Sequence, residues 1–216
     1  MDVVLFGPPG AGKGTQAEHI CSILGITHVS TGDLFRNLDK DSEVGKLAKS
    51  YMDDGQLVPD DVTVRVLAER LKDDDVQSGV LLDGFPRTIN QCDELEKWMT
   101  PRNRNIDLVI AFDITDKEIM RRLTNRRMCR GCGRSFHLIF VPPAVENVCD
   151  DCGASLYQRG SDVSEKIQDR IDGYYTWTLP MLEYLEKKEI SILKIDGMGS
   201  PKAVSELLTN ALKNQG

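Results

Sequence analysis

The sequence predicts an α/β fold: a parallel sheet flanked by helices, with a helical insert and a small metal-bound lid. Three observations predict it. Short apolar runs alternate with stretches of helical periodicity. A polar, helix-patterned segment from Thr31 to Pro59 contains no clear strand. A segment from Arg127 to Arg159 holds two Cys-x-x-Cys pairs and the paired Pro142–Pro143.

The strand-like runs are Val3–Phe6, Ile26–Val29, Val80–Leu82, Leu108–Phe112 and Ile190–Ile195. After Gly12, Ala17, Ile20, Cys21 and Leu24 recur at i, i+3, i+4 and i+7, the stripe of an amphipathic helix. Strands separated by helices imply parallel pairing, and ligands then bind at the C-terminal ends of the strands. Glu165 to Lys188 is a long helical pattern that Pro180 is expected to kink or split. The chain therefore divides into a core of residues 1–29, 60–121 and 161–216, an insert of 30–59 and a lid of 122–160. Its 216 residues suit one core with inserts better than two full domains.

Lys and Arg total 27 against 34 Asp and Glu, a formal net charge of -7. A nucleic-acid binder shows the opposite bias, so no nucleic-acid partner is expected. No apolar run approaches the roughly 20 residues that span a bilayer, so no membrane partner is expected. Met1 to Phe6 lacks a basic region before its apolar run and does not read as a signal peptide; a cytoplasmic location is expected. In a reducing compartment the Cys pairs indicate metal binding rather than disulfides. Cys21 and Cys92 stand alone and read as small buried hydrophobes.

Gly7-Pro-Pro-Gly10-Ala11-Gly12-Lys13-Gly14-Thr15 follows the first strand and opens the first helix, the context of a P-loop. Its glycines let backbone N–H groups surround a phosphate, and the helix N-terminus adds partial positive charge. Lys13 supplies a full charge for β- and γ-phosphates. Gly14 stands where many P-loops carry Ser or Thr, so Thr15 becomes the hydroxyl nearest a magnesium ion. Asp83, ending the run Val80-Leu-Leu, is the natural partner for that Mg²⁺ through water.

The P-loop, Ser30-Thr31-Gly-Asp33 with Arg36, and Asp83-Gly84-Phe85-Pro86-Arg87 with Gln91 together strongly resemble the adenylate kinases. The resemblance runs from about Asp2 to Gly199 and includes the long-lid, zinc-bearing form. It implies a P-loop NTPase core that acts as a monomer, with ATP, AMP and ADP as small-molecule partners. It implies an AMP site of Thr31, Arg36, Gln56, Leu57, Val58, Gly84, Phe85, Pro86, Arg87, Gln91, Arg159 and Arg170. Arg122, Arg126, Ser135, Phe136 and, near the chain's end, Gly199 fall at ATP positions beside Gly10 to Thr15. Arg159 and Arg170 match arginines that reach the phosphates from the lid and its hinge. In Arg159-Gly-Ser161-Asp162, Ser161 departs from the Asp usual in the family, leaving Asp162 as the carboxylate available there.

Phosphoryl transfer needs this residue set for a physical reason. Two anionic nucleotides repel each other, and the moving phosphoryl spreads charge over its oxygens, so positioning and electrostatics carry the rate. Lys13, Arg87, Arg126, Arg159 and Arg170 provide the charge, with arginine forks suited to phosphate. No dedicated base is evident, because AMP phosphate is already ionised. The two inserts read as covers that exclude water. Cys129, Cys132, Cys149 and Cys152, with 16 residues between the pairs, resemble a zinc ribbon with no open coordination position, hence structural Zn²⁺; Fe²⁺ or Co²⁺ also suits four sulfurs. His137 reads as a polar surface residue rather than a ligand. The competing classes are a zinc-ribbon nucleic-acid ATPase, a kinase of UMP, CMP or GMP, and a nucleotide sensor without catalysis.

Overall fold

A computed structural model describes residues 1–213. Five strands form the central sheet: β1 (Asp2–Phe6), β2 (Thr27–Ser30), β3 (Val80–Asp83), β4 (Leu108–Asp113) and β8 (Ser191–Asp196). All pairings are parallel, in the order β2-β3-β1-β4-β8. The five apolar runs of the sequence are these five strands, within a residue or so at their ends. Leu5 lies opposite Asp83 on one side and Ile110 on the other, so the central strand delivers the loop after Phe6 between two braced neighbours.

Period-two alternation sends the strand residues into two cores. Val3, Leu5, Leu108 and Ile110 pack with helices α1 (Lys13–Leu24), α6 (Asp116–Thr124), α7 (Ser164–Gly173) and α9 (Pro201–Lys213). Val4, Phe6, Val80 and Leu82 pack with α4 (Asp60–Arg70), α5 (Ile89–Met99) and α8 (Leu179–Lys187). Cys92 is buried in this second core and its thiol is pushed up to about 12, while burial holds the Cys21 thiol up at about 11. Neither is poised as a nucleophile.

Residues 30–59 carry α2 (Thr31–Asn37) and α3 (Glu43–Asp53), each opened by a serine whose hydroxyl accepts a backbone N–H three residues on. Their own small cluster is Ala48, Val58 and Val62, edged by Phe35 and Tyr51. The segment's tip reaches α7, where Lys166 donates to the Asp53 carbonyl and pairs with Asp54 at 3.3 Å. Residues 126–157 form an antiparallel sheet of β5 (Arg126–Cys129), β6 (Ser135–His137) and β7 (Leu156–Tyr157), in the order β6-β5-β7. Its buried cluster is Cys129, Phe136, Cys149 and Leu156. The expected break near Pro180 is a π-helical turn, Tyr174–Thr178, between α7 and α8. Pro180 is the second residue of α8, directly after the π turn that accommodates its missing N–H within a continuous helical run.

Candidate functional site

The loop after β1 turns sharply before α1. Gly7 and Gly12 have φ of 141° and 92°, a region that only glycine adopts freely. A Cβ on Gly7 would also lie 2.7 Å from the Phe112 carbonyl oxygen. The loop stays tight there, and Gly7 and Pro9 to Thr15 line one cavity. Lys13, the first residue of α1, folds back so that Nζ donates to the Gly7 and Pro8 carbonyls at 2.6 and 2.9 Å. The ammonium is thus held over the loop. Its place on the cleft floor lowers its pKa to about 8, opposed by Asp83 and reinforced by Arg87, Arg170 and Arg126.

Asp83 ends β3 beside the loop, with Oδ2 at 3.5 Å from where a Cβ on Gly14 would stand. His28 of β2 faces it, Nε2 to Oδ2 at 3.5 Å. Desolvation would raise the Asp83 pKa, but His28 and Lys13 outweigh it and hold the carboxyl below the usual range. Asp83 therefore remains an anion suited to a hard cation. Thr31 Oγ1 donates to the Gly84 carbonyl at 3.0 Å, and Arg87 Nε donates to the same oxygen at 2.8 Å. Gly84, with φ of 80°, is the crossing point of these residues.

The arginines differ in how they are held. Asp162, fully buried, accepts a two-pronged pair from Arg126 at 2.8 and 2.6 Å and a third bond from Arg170 at 2.9 Å. Arg159 has no partner for its buried Nε, and burial with the nearby Arg126 and Arg36 lowers its pKa to about 10. Arg170 is likewise lowered to about 10, chiefly by burial. Both stay cationic at neutral pH. Arg36 is engaged by Asp33, and Arg122 by Glu118 and by the Gly197 and Gly199 carbonyls at 2.7 and 3.2 Å.

One cleft of about 2010 Å³ unites these groups. Gly10, Ala11, Gly12, Lys13, Gly14 and Thr15 line it with Asp83, Gly84, Pro86, Arg87 and Gln91. Thr31, Arg36, Gln56, Leu57 and Val58 come from the insert. Arg122, Arg126, Ser135, Phe136, Arg159, Arg170 and Gly199 complete it. Two sequence expectations need correction. Phe85 is 1% exposed in the second core and does not line the cleft, because the turn at Gly84 sends its ring behind the sheet. His137 is half-buried rather than a surface residue: its Nδ1 accepts the N–H groups of Ile139 and Phe140 at 3.1 and 3.2 Å. Phe136 lines the cleft although it is 1% exposed, packed with Cys129, Cys149 and Leu156. His28 and Asp60 escaped the sequence; a lone His in a strand and an Asp opening a helix carry no local signal of partners far along the chain.

The sulfurs of Cys129, Cys132, Cys149 and Cys152 lie within 4.8 Å of one another. Cys129 Sγ is 3.3 Å from Cys152 Sγ, and Cys132 Sγ is 3.6 Å from Cys149 Sγ. A tetrahedral zinc with bonds of about 2.3 Å has sulfur edges of about 3.8 Å, so the cluster has the size such an ion needs. The N–H groups of Gly131 and Cys132 point at Cys129 Sγ at 3.3 and 3.4 Å and favour its thiolate, the form metals bind.

A model of the adenylate kinase family matches residues 5–190. Among curated relatives, an adenylate kinase of Thermoanaerobacter sp. (strain X514) is 45% identical over 217 residues, covering 100% of both chains. One of Methanocella arvoryzae is 48% identical over 91% of each chain. One of Geobacillus sp. (strain WCH70) is 51% identical, covering 87% of this chain and 88% of its own.

Proposed function

This chain belongs to the adenylate kinase family, and from that premise we propose how its residues divide the work. The reaction moves a phosphoryl group reversibly between ATP and AMP, giving two ADP. An AMP phosphate oxygen forms the new P–O bond to the γ-phosphorus as the bond to the ADP oxygen breaks. The nucleophile is already an anion, so no side chain need take a proton.

In this proposal the loop Gly10 to Thr15 cradles the ATP phosphates, and Lys13 moves from its carbonyl partners onto the β- and γ-oxygens. Arg126, Arg159 and Arg170 take the charge that spreads over the transferred group, while Arg87 and Arg36 hold the AMP phosphate. Arg122, Ser135, the Phe136 backbone and Gly199 contact ATP. Thr31, Gly84, Pro86, Gln91 and the strip Gln56 to Val58 enclose the AMP base and ribose. The unpartnered Arg159 Nε supports this allotment, since a buried N–H without an acceptor suits an incoming phosphate. Magnesium, which neutralises charge between the β- and γ-oxygens when bound, would be held through water by Asp83 and Thr15. Structural zinc would sit among the four Cys of a lid spanning 122–160, with the insert at 30–59 as the AMP cover. No helix among the described residues is long and apolar enough to cross a membrane. We take the enzyme to be a cytoplasmic monomer, tested by sizing and fractionation.

The observation that carries the proposal is the convergence of Lys13, Asp83, Arg87, Arg126 and Arg170 on one cleft. The test is a coupled assay of ATP with AMP, CMP, UMP and GMP. Lys13→Ala and Arg87→Ala should each cost about 10³–10⁵ in rate, the scale for losing a transition-state cation. Near-normal turnover in either variant would remove that residue from the role.

A further inference from the structure

Gln91, proposed above to meet the AMP base, is 2% exposed, and its amide is engaged at both ends. Oε1 accepts the Arg87 backbone N–H at 2.8 Å, and Nε2 donates to Asp60 Oδ1 at 2.7 Å. The oxygen and nitrogen of an amide are nearly alike in shape, but these two partners are not. A backbone N–H can only donate and a carboxylate oxygen can only accept. Of the two orientations related by a flip, the pair of partners permits one.

Asp60 is itself fixed. It opens α4, at the junction of the insert with the core, and Oδ2 accepts from Thr88 Oγ1 and Asn90 Nδ2, each at 2.9 Å. Thr88 Oγ1 in turn accepts the Gln91 N–H at 3.1 Å, capping α5. The carboxylate thus spans from the first turn of one helix to the first turn of the next. It lines the same cleft as Gln91.

We propose that Asp60 is a positioning residue that sets base choice at the acceptor site: by locking the Gln91 amide it selects a 6-aminopurine monophosphate over a 6-oxopurine one. The inference rests on Gln91 as the base reader. After its two bonds to the protein, Gln91 keeps one oxygen lone pair and one amide hydrogen. A 6-aminopurine offers an N–H donor at position 6 and an acceptor at N1, which complement that order. A 6-oxopurine offers an acceptor at position 6 and a donor at N1, so the same amide meets it acceptor to acceptor and donor to donor. Only a flipped amide would suit it, and the flip would turn the amide NH₂ towards the Arg87 N–H and the amide oxygen towards the Asp60 carboxylate. Both contacts are repulsive, and buried groups left unpaired are the strongest source of such discrimination.

The test compares AMP with IMP as acceptors, ATP being the donor, in the wild type and in Asp60→Ser, Asp60→Asn and Gln91→Leu. Asp60 is the first helical residue of α4, after Pro59, and its carboxylate bonds Gln91, Thr88 and Asn90 rather than capping its own helix, so serine there leaves the α4 backbone bonds intact while its short hydroxyl falls away from Gln91. Asp60→Ser should lower the AMP-over-IMP ratio of kcat/KM roughly tenfold or more, the scale of a lost paired base contact, with KM for ATP unchanged. Asp60→Asn, which retains an oxygen for Gln91 Nε2, should keep most of the wild-type ratio. Gln91→Leu should collapse the ratio independently. If Gln91→Leu collapses it and Asp60→Ser does not, Asp60 has no positioning role. If Asp60→Ser lowers AMP and IMP use together alongside the melting temperature, its role is only structural. If Gln91→Leu leaves the ratio intact, base reading by Gln91 fails first and the inference falls with it.

Discussion

Asp162→Asn is the most informative single change in the cleft. The substitution keeps the shape but removes the one negative charge shared by Arg126 and Arg170, with Arg159 close by. Asp162 is fully buried, and the two guanidinium groups are only 21% and 22% exposed. Removing one partner of a buried ion pair costs about 3–5 kcal/mol because a buried charge is left uncompensated. The partial exposure of both arginines places the cost near the lower bound, about 3 kcal/mol. For a chain of this size each 1 kcal/mol shifts the melting temperature by roughly 2–4 °C, so the expected fall is roughly 6–12 °C. Calorimetry without ligand measures it. Saturating ATP and AMP should then narrow the gap to wild type, because phosphates supply the missing negative charge to the same arginines. A fall below about 2 °C without ligand, or a gap that nucleotides leave unchanged, would refute the view of Asp162 as the counter-charge that holds these arginines in place.

Three further outcomes are expected. Since Lys13 titrates near 8 in the free protein and works as a cation, kcat/KM for ATP should decline as pH rises through about 8, and a flat profile to pH 9.5 would count against it. The same shift acts on stability with the opposite sign: folding holds the Lys13 pKa below its ordinary 10.5, so its penalty is full below about 8 and is relieved between the two values. Cys132→Ser should bind less than one equivalent of zinc by elemental analysis and melt earlier, yet keep turnover within about tenfold well below the melting point, the low end of what weakened metal support costs. Loss of turnover with zinc still bound and the lid folded would make the metal catalytic. Gly84→Ala should raise KM for AMP about tenfold while KM for ATP stays within about twofold, because its Cβ would meet Thr31 Oγ1 and Arg87 Nη2 at 2.9 Å in a backbone conformation that costs about 1–3 kcal/mol for other residues. Equal losses for both nucleotides would show that the strain spreads beyond the AMP side.

Much of the central sheet is legible in the sequence because β1, β3 and β4, buried on both faces, are apolar runs such as Leu108–Phe112. The lid strands are not. Arg126–Cys129 and Leu156–Tyr157 are two to four residues long, and tertiary pairing rather than composition makes them strands. The motif residues announce themselves through glycine spacing and charge. Their supports do not: Asp60 reaches Gln91 across 31 positions, and Asp162 reaches Arg126 across 36. Such contacts exist only once the fold has brought helix starts and hinge together. Pro180 marks the break in the C-terminal helical stretch, but the π-helical form of Tyr174–Thr178 depends on packing that no local pattern encodes.

The apolar clusters of this molecule are very unequal. The sheet carries a large one on each face, whereas the lid has Cys129, Phe136, Cys149 and Leu156, and the insert has Ala48, Val58 and Val62. Segments with so little buried surface open at lower free energy than the body they attach to, and covers over an active site are drawn from that end of the range. Local opening of these two segments and global melting of the sheet therefore depend on different apolar residues. Adaptation to heat or cold can act on a handful of positions around the four sulfurs and Ala48 while leaving the sheet untouched. Backbone amide exchange in these two segments, rather than global unfolding, is the quantity that would track it.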